Sequence, residues 1–233
     1  MTRFDDLFAA AAPLISEQRH RREQPPVDGG RWPVSVLIFP DAALGERLDR
    51  LAGELAVLAG PGHFRTGTAD SAHLTVRALE RYRADVGADD AAVLRYARAV
   101  RAAAARVGPF PITLSGLTLT PSAVLVGVSS PGLEEYAAVL ADQLGPDAWL
   151  ERELGGRTFR HLTLLHFGAA IARPEDLVGW VAARRGLAVG SMLTSRVDLV
   201  RFRHRELAED RDLPPAQAMW PEPLIEGVPL TGP

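Results

Sequence analysis

The chain has no cysteine and no lysine. Without cysteine there is no disulfide framework, no thiolate nucleophile and no thiolate-ligated metal. All 26 basic residues are arginine, so P-loop lysines, Schiff bases and the covalent lysyl-nucleotide of an ATP-dependent ligase are excluded. No apolar run reaches the length a membrane span requires. Asp5 and Asp6 stand where a secretory leader would carry its basic region. A cytoplasmic protein with no membrane partner is therefore the expectation. The formal net charge of −3 has the wrong sign for a domain built to grip long nucleic acid. It still leaves room for a local arginine-lined funnel. What remains is ordinary: 233 residues, 47% hydrophobic and 24% charged, enough for one sizeable core or two small lobes.

Against that background one phrase occurs twice. His73-Leu74-Thr75-Val76 returns as His161-Leu162-Thr163-Leu164, 88 residues further on. Both copies lie in short apolar, β-branched stretches that read as strands. Side chains alternate faces along a strand, so His73 shares a face with Thr75, and His161 with Thr163. Two such strands side by side bring two imidazoles and two hydroxyls into one cleft. Imidazoles titrate near neutral pH and can serve as general acid and general base, and hydroxyls can hold an anion. The set suits phosphoester chemistry. Which histidine is the base and which the acid stays open at this point.

Paired His-x-Thr motifs followed by an apolar residue, about a lobe apart, resemble the two-histidine (2H) phosphoesterase superfamily, which includes RNA 2′,3′-cyclic phosphodiesterases and 2′-5′ RNA ligase-like proteins. The resemblance covers roughly residues 32–204. It implies an α+β, bilobed, duplicated fold: two antiparallel sheets flank a central cleft, helices lie outside, and each lobe contributes one motif strand. It also implies a metal-independent phosphodiesterase acting on 2′,3′-cyclic phosphates or 2′-5′ linkages of nucleotides or RNA ends. His73 and His161 would be catalytic, with Thr75 and Thr163 on the phosphate. Many relatives carry an arginine or an aromatic shortly after a motif. Here Arg77 follows the first, whereas Leu165, His166 and Phe167 follow the second.

Read for organisation, residues 1–31 form an N-terminal helical extension that packs on a lobe. Residues 32–204 form the bilobed domain, with lobes of about 32–110 and 111–204 and an exchange of strands between them left open. Residues 205–233 read as a Pro-rich tail that wraps the surface without a core of its own. Helices are expected over 3–23, 44–58, 89–107, 133–144 and 174–184. Strands are expected over 33–39, 110–119, 123–128, 158–167 and 192–202. The loop over 59–72 leads into the first motif, and His63, Phe64 and Arg65 are its candidate contacts; a plain flexible loop is the alternative.

Period-two alternation extends the inventory. Arg77 falls on the face of His73 and Thr75 and either reaches the phosphate or ends the strand in solvent. Phe159 and Phe167 fall on the face of His161 and either stack on a base or belong to the core. His166 falls on the opposite face and reads as a satisfied structural histidine. His204 sits in a basic strand end. No His-x-x-x-His or carboxylate pair at ligand spacing accompanies the motif histidines, so no metal and no cofactor are expected. The expected partner is a nucleotide or RNA-end substrate, and a monomer is the default. A non-catalytic module that binds nucleotides or terminal phosphates is the first alternative. A 2H-fold accessory enzyme acting on a non-nucleic metabolite is the second.

Overall fold

The computed structural model describes residues 3–155, 159–210 and 212–232. Its elements are α1 (Arg3–Ser16), β1 (Val34–Ile38), α2 (Ala42–Ala59), β2 (Phe64–Arg65), β3 (Leu74–Glu80), α3 (Ala91–Ala104), β4 (Phe110–Thr120), β5 (Ala123–Ser129) and α4 (Pro131–Leu144). A 3-10 turn at Gly145–Ala148 then leads into α5 (Trp149–Glu153), β6 (Arg160–His166), α6 (Pro174–Ala182), β7 (Ala188–Thr194), β8 (Arg196–Leu207) and β9 (Ala216–Pro229). Thr158, the expected start of the second motif strand, lies outside the described residues.

Local chemistry sets many of these boundaries. Asp41 accepts from the Leu44 amide at 2.9 Å and starts α2, which stops at Gly60 in the left-handed region. Ser130 caps α4, with Pro131 in the first turn where no amide is needed. Each such side-chain cap contributes about 1 kcal/mol. No helix among the described residues is long and apolar enough to cross a membrane.

The strands form one ladder in the order β2-β9-β8-β1-β3-β6-β5-β4-β7. It consists of two predominantly antiparallel wings, β2-β9-β8-β1-β3 and β6-β5-β4-β7. The wings meet where Leu74 of β3 faces Leu162 of β6, and β2 also pairs with the far end of β6. The first wing thereby curls into a closed ring with β6. Helices α2 and α6 pack together against the second wing, and α3 and α4 pack together on the outside. The α+β class and cleft fold read from the sequence are the observed ones. β8 and β9 come from the end of the chain yet complete the wing of the first motif.

β1 is buried along its whole length because both its faces are covered. Val34, Val36 and Ile38 face the main core, while Leu37 joins a smaller cluster with Trp32, Phe64, Tyr82, Val200, Phe202 and Met219. That smaller cluster lies on the concave side of the first wing, beside the cleft.

Three expectations differ from the structure. The helix foreseen over 3–23 is α1, which ends at Ser16, and residues 19–33 follow without helix or strand. The strand foreseen over 192–202 is two strands, β7 on the second wing and β8 on the first, divided at Ser195. The Pro-rich tail is not a surface wrap, since its residues 216–229 form β9, paired along β8 and contributing buried Ala218, Met219 and Val228. Pro221 and Pro223 are tolerated because they are two residues apart. Their missing amides point to the same edge, away from β8, where the other neighbour β2 reaches only Gln217.

Candidate functional site

The two motif strands are antiparallel neighbours registered at Leu74 and Leu162, and both leucines turn into the main core. The flanking residues therefore turn the other way. Continuing the register by one residue sets His73 across from Thr163 and Thr75 across from His161, a near-two-fold arrangement. All four line one cleft of about 470 Å³, a volume in the range of small-molecule sites. Among the described residues the cleft wall carries Arg21, Arg31 and Arg81, three histidines and no carboxylate. A protein of net charge −3 thus concentrates positive and imidazole groups at this one place.

His73 Nδ1 lies 2.7 Å from the Ser71 carbonyl oxygen, so Nδ1 carries the proton and donates. That tautomer leaves Nε2 as the acceptor. The ring is 5.2 Å from that of Phe202. On the other side, the Phe159 ring lies 4.9 Å from that of His161 and 5.5 Å from that of Phe4 on α1. Phe159 therefore sits between His161 and the N-terminal helix, lining a shallower groove with Arg3 and Phe4.

Each motif strand has an irregularity just after its threonine. In β3, Leu37 faces Thr75 but Val36 faces Arg77, so Val76 is an extra residue. In β6, Leu125 faces Thr163 but Val124 faces Leu165, so Leu164 is an extra residue. A bulge of this kind reverses the alternation beyond it. Two sequence expectations, for Arg77 and His166, change as a result, and for Phe167 the core alternative is the one observed.

Arg77 does not line the cleft; its Nη2 donates to the Ala148 carbonyl at 3.3 Å, and Ala78 takes the cleft position instead. Phe167 is fully buried in the core against His20 and His63, so it is not a base-stacking residue. His166 does line the cleft, contrary to the strict period-two reading. It is 8% exposed, meets Trp32 edge-on at 5.0 Å, and is held well below the ordinary imidazole range by burial. Sequence reasoning also missed Trp32 and Arg31, for which a single aromatic after a Gly-Gly break gave no signal.

The bulges are held in place. The Val76 carbonyl accepts from Arg160 Nη1 at 2.8 Å, which ties the first motif strand to the second. The Leu164 carbonyl accepts from the Thr66 and Gly67 amides at 3.2 and 2.9 Å. A Cβ on Gly67 would stand 2.9 Å from the Leu164 Cα, so only glycine lets this loop approach. The loop over 59–72 is thus a brace for the second motif. His63 and Phe64 within it are buried, and neither they nor Arg65 line the cleft. His204 bonds Gln217 at 3.0 Å and is also outside the cleft.

His63 carries a prediction. Its Nε2 donates to the Ala59 carbonyl and its Nδ1 accepts from the Gly168 amide, so the neutral ring is satisfied. Burial lowers its pKa from 6.5 to about 4. Between those values the unfolded chain binds the extra proton, so stability falls as pH drops through this window. The loss reaches about 3 kcal/mol below it. The urea midpoint is therefore expected to fall markedly from pH 7 to pH 4.5, and less so in His63→Gln. Equal slopes for the two proteins would remove His63 as the cause.

Residues 38–127 match the family described as LigT like Phosphoesterase, a span that contains the first motif. TT0787 of Thermus thermophilus shares the fold with a TM-score of 0.54 at 16% identity, over 85% of this chain and 98% of that one. The resemblance to the two-histidine phosphoesterases holds. E. coli LigT complexed with ATP aligns at a TM-score of 0.48 and 19% identity, over 81% of this chain and 93% of that one. No curated protein matches the chain by sequence. Among the described residues no group of three or more histidine or acidic side chains is arranged to hold a metal ion.

Proposed function

We propose that the protein is a phosphodiesterase that hydrolyses 2′,3′-cyclic phosphates or 2′-5′ linkages of nucleotides or RNA ends without a metal, His73 and His161 acting as general acid and base. The observation that carries this reading is the register of β3 and β6, which turns both imidazoles and both motif hydroxyls into one cationic cleft. The family match over the first motif supports phosphoesterase chemistry in general.

Cleaving a phosphodiester this way takes a base on the attacking water, an acid on the leaving alkoxide, and donors on the non-bridging oxygens. One imidazole accepts the proton of water as its oxygen attacks phosphorus. The other, protonated, gives its proton to the departing ribose oxygen as the P–O bond breaks. With Nδ1 engaged by the Ser71 carbonyl, His73 offers Nε2 as a proton acceptor and suits the role of base. His161 is then the acid. Thr75 and Thr163 donate to the phosphate.

The test is hydrolysis of the four nucleoside 2′,3′-cyclic monophosphates, and of 2′-5′-linked dinucleotides, with EDTA present. Turnover in EDTA is expected. Failure on every one of these substrates, or activity that EDTA abolishes and a divalent cation restores, would overturn the proposal.

A further inference from the structure

The N-terminal extension has so far appeared only as an addition to the fold, yet residues 21–33 supply a large part of the cleft wall. Arg21, Arg31 and Trp32 all line it. The segment that carries them is fastened at many points. Gln18 bonds both the amide and the carbonyl of Ile171. His20 Nε2 bonds the Ala169 carbonyl at 2.8 Å, the Arg21 amide donates to Pro121, and the Glu23 amide donates to Phe167. Further on, Gly29 and Gly30 exchange backbone bonds with Tyr82. The chain is therefore tied along the end of β6 and across to the end of β3, bridging the two wings.

Glu23 is the centre of this segment. It is 5% exposed, and its Oε1 accepts from both Arg21 and Arg31. Arg21 also donates to Ser122 Oγ at 3.1 Å. The two guanidinium side chains remain open, 66% and 54% exposed. One carboxylate thus fixes two arginines and leaves a net positive charge. Each guanidinium has five donors and can present a fork to an oxyanion. Beneath them lie Trp32 and His166, both more than nine-tenths buried, with Trp32 Nε1 and His166 Nδ1 making no hydrogen bond among the described residues. Trp32 is held at φ 69°, a left-handed conformation that is strained for a tryptophan. Strain of that kind persists where surrounding bonds impose it, and here they aim an indole at the cleft.

We propose that Arg21 and Arg31, clamped by Glu23, form a second anion subsite that takes another phosphate of the substrate, beyond the one cleaved between His73 and His161. The ligand class is a nucleotide bearing two phosphates, either a 5′-terminal phosphate or the next internucleotide phosphate. The inference deepens the function proposed above and rests on it for the identity of the first site. It does not rest on it for the binding it predicts.

The experiment is equilibrium binding by calorimetry to the full chain, with 3′-AMP and adenosine 3′,5′-bisphosphate as probes. Charge-assisted contacts of this kind predict that the wild type prefers the bisphosphate by about 10- to 100-fold at low salt. Arg21→Gln/Arg31→Gln should reduce that preference to about twofold or less, the bisphosphate losing far more affinity than 3′-AMP, and a thermal melt matching the wild type certifies the fold. In the wild type alone the preference should shrink as salt rises to about 0.5 M. Equal affinities in the wild type, a preference that survives the double substitution, or one indifferent to salt would each overturn the subsite. A 3′-phosphorylated dinucleotide distinguishes the sources. The same gain with it assigns an internucleotide phosphate, and a gain with the bisphosphate alone assigns a terminal one. Because binding needs no turnover, a protein that cleaves nothing yet prefers the bisphosphate would refute the hydrolase and keep the subsite.

Discussion

Alanine at His73 or at His161 is expected to lower kcat for cyclic phosphate hydrolysis by about 10²- to 10⁴-fold, with the fold intact. Both side chains stand half-buried at the cleft and not in the core, so truncation opens no large internal cavity. The strand register is carried by Leu74 and Leu162 on the other side of the ladder, which the substitutions do not touch. The loss should appear in kcat more than in KM, because proton transfer is needed in the transition state and not in the bound ground state. Acid and base act as a unit, so the double variant should be little worse than the weaker single one. The check is steady-state kinetics together with a thermal melt of each variant. A single variant that keeps a tenth or more of the activity would show that its histidine is not the acid or the base.

The second large effect falls on the threonines. Thr75→Val and Thr163→Val keep shape and β-branching and remove only a hydroxyl. Loss of one preorganised donor to an oxyanion typically costs about 10²-fold or more in kcat. The near-two-fold register makes the two positions equivalent toward a phosphate lying between the strands, so the two substitutions should cost similar amounts. Kinetics of the pair test this directly. A large loss at one threonine with none at the other would mean that the phosphate binds one strand only.

The repeated His-Leu-Thr phrase was sufficient to locate the cleft, because alternation along a strand assigns leucine to the core and histidine and threonine to the open face. What alternation could not carry was its own interruption. Val76 and Leu164 are ordinary apolar residues, and nothing in their chemistry announces that each is one residue too many for its ladder. The consequence reached Arg77, Phe167 and His166 alike: one left the cleft, one sank into the core and one entered the wall. The duplication would have allowed a guess, since both extra residues occupy the same place in the repeat.

Other features were hidden for different reasons. β9 was masked by its prolines, whose spacing of two is compatible with a strand exposed along one edge. The break between β7 and β8 is topological, since a single stretch of strand-forming sequence crosses from one wing to the other at Ser195. Arg21, Glu23 and Arg31 read as scattered charge because their association requires a buried carboxylate that the chain pattern does not reveal.

The most direct measurement on the two-histidine account is the pH dependence of kcat/KM for nucleoside 2′,3′-cyclic phosphate hydrolysis. The account predicts a bell, with one limb from the imidazole that must be neutral and one from the imidazole that must be protonated. A rate that climbs steadily with pH, with no falling alkaline limb, would contradict it.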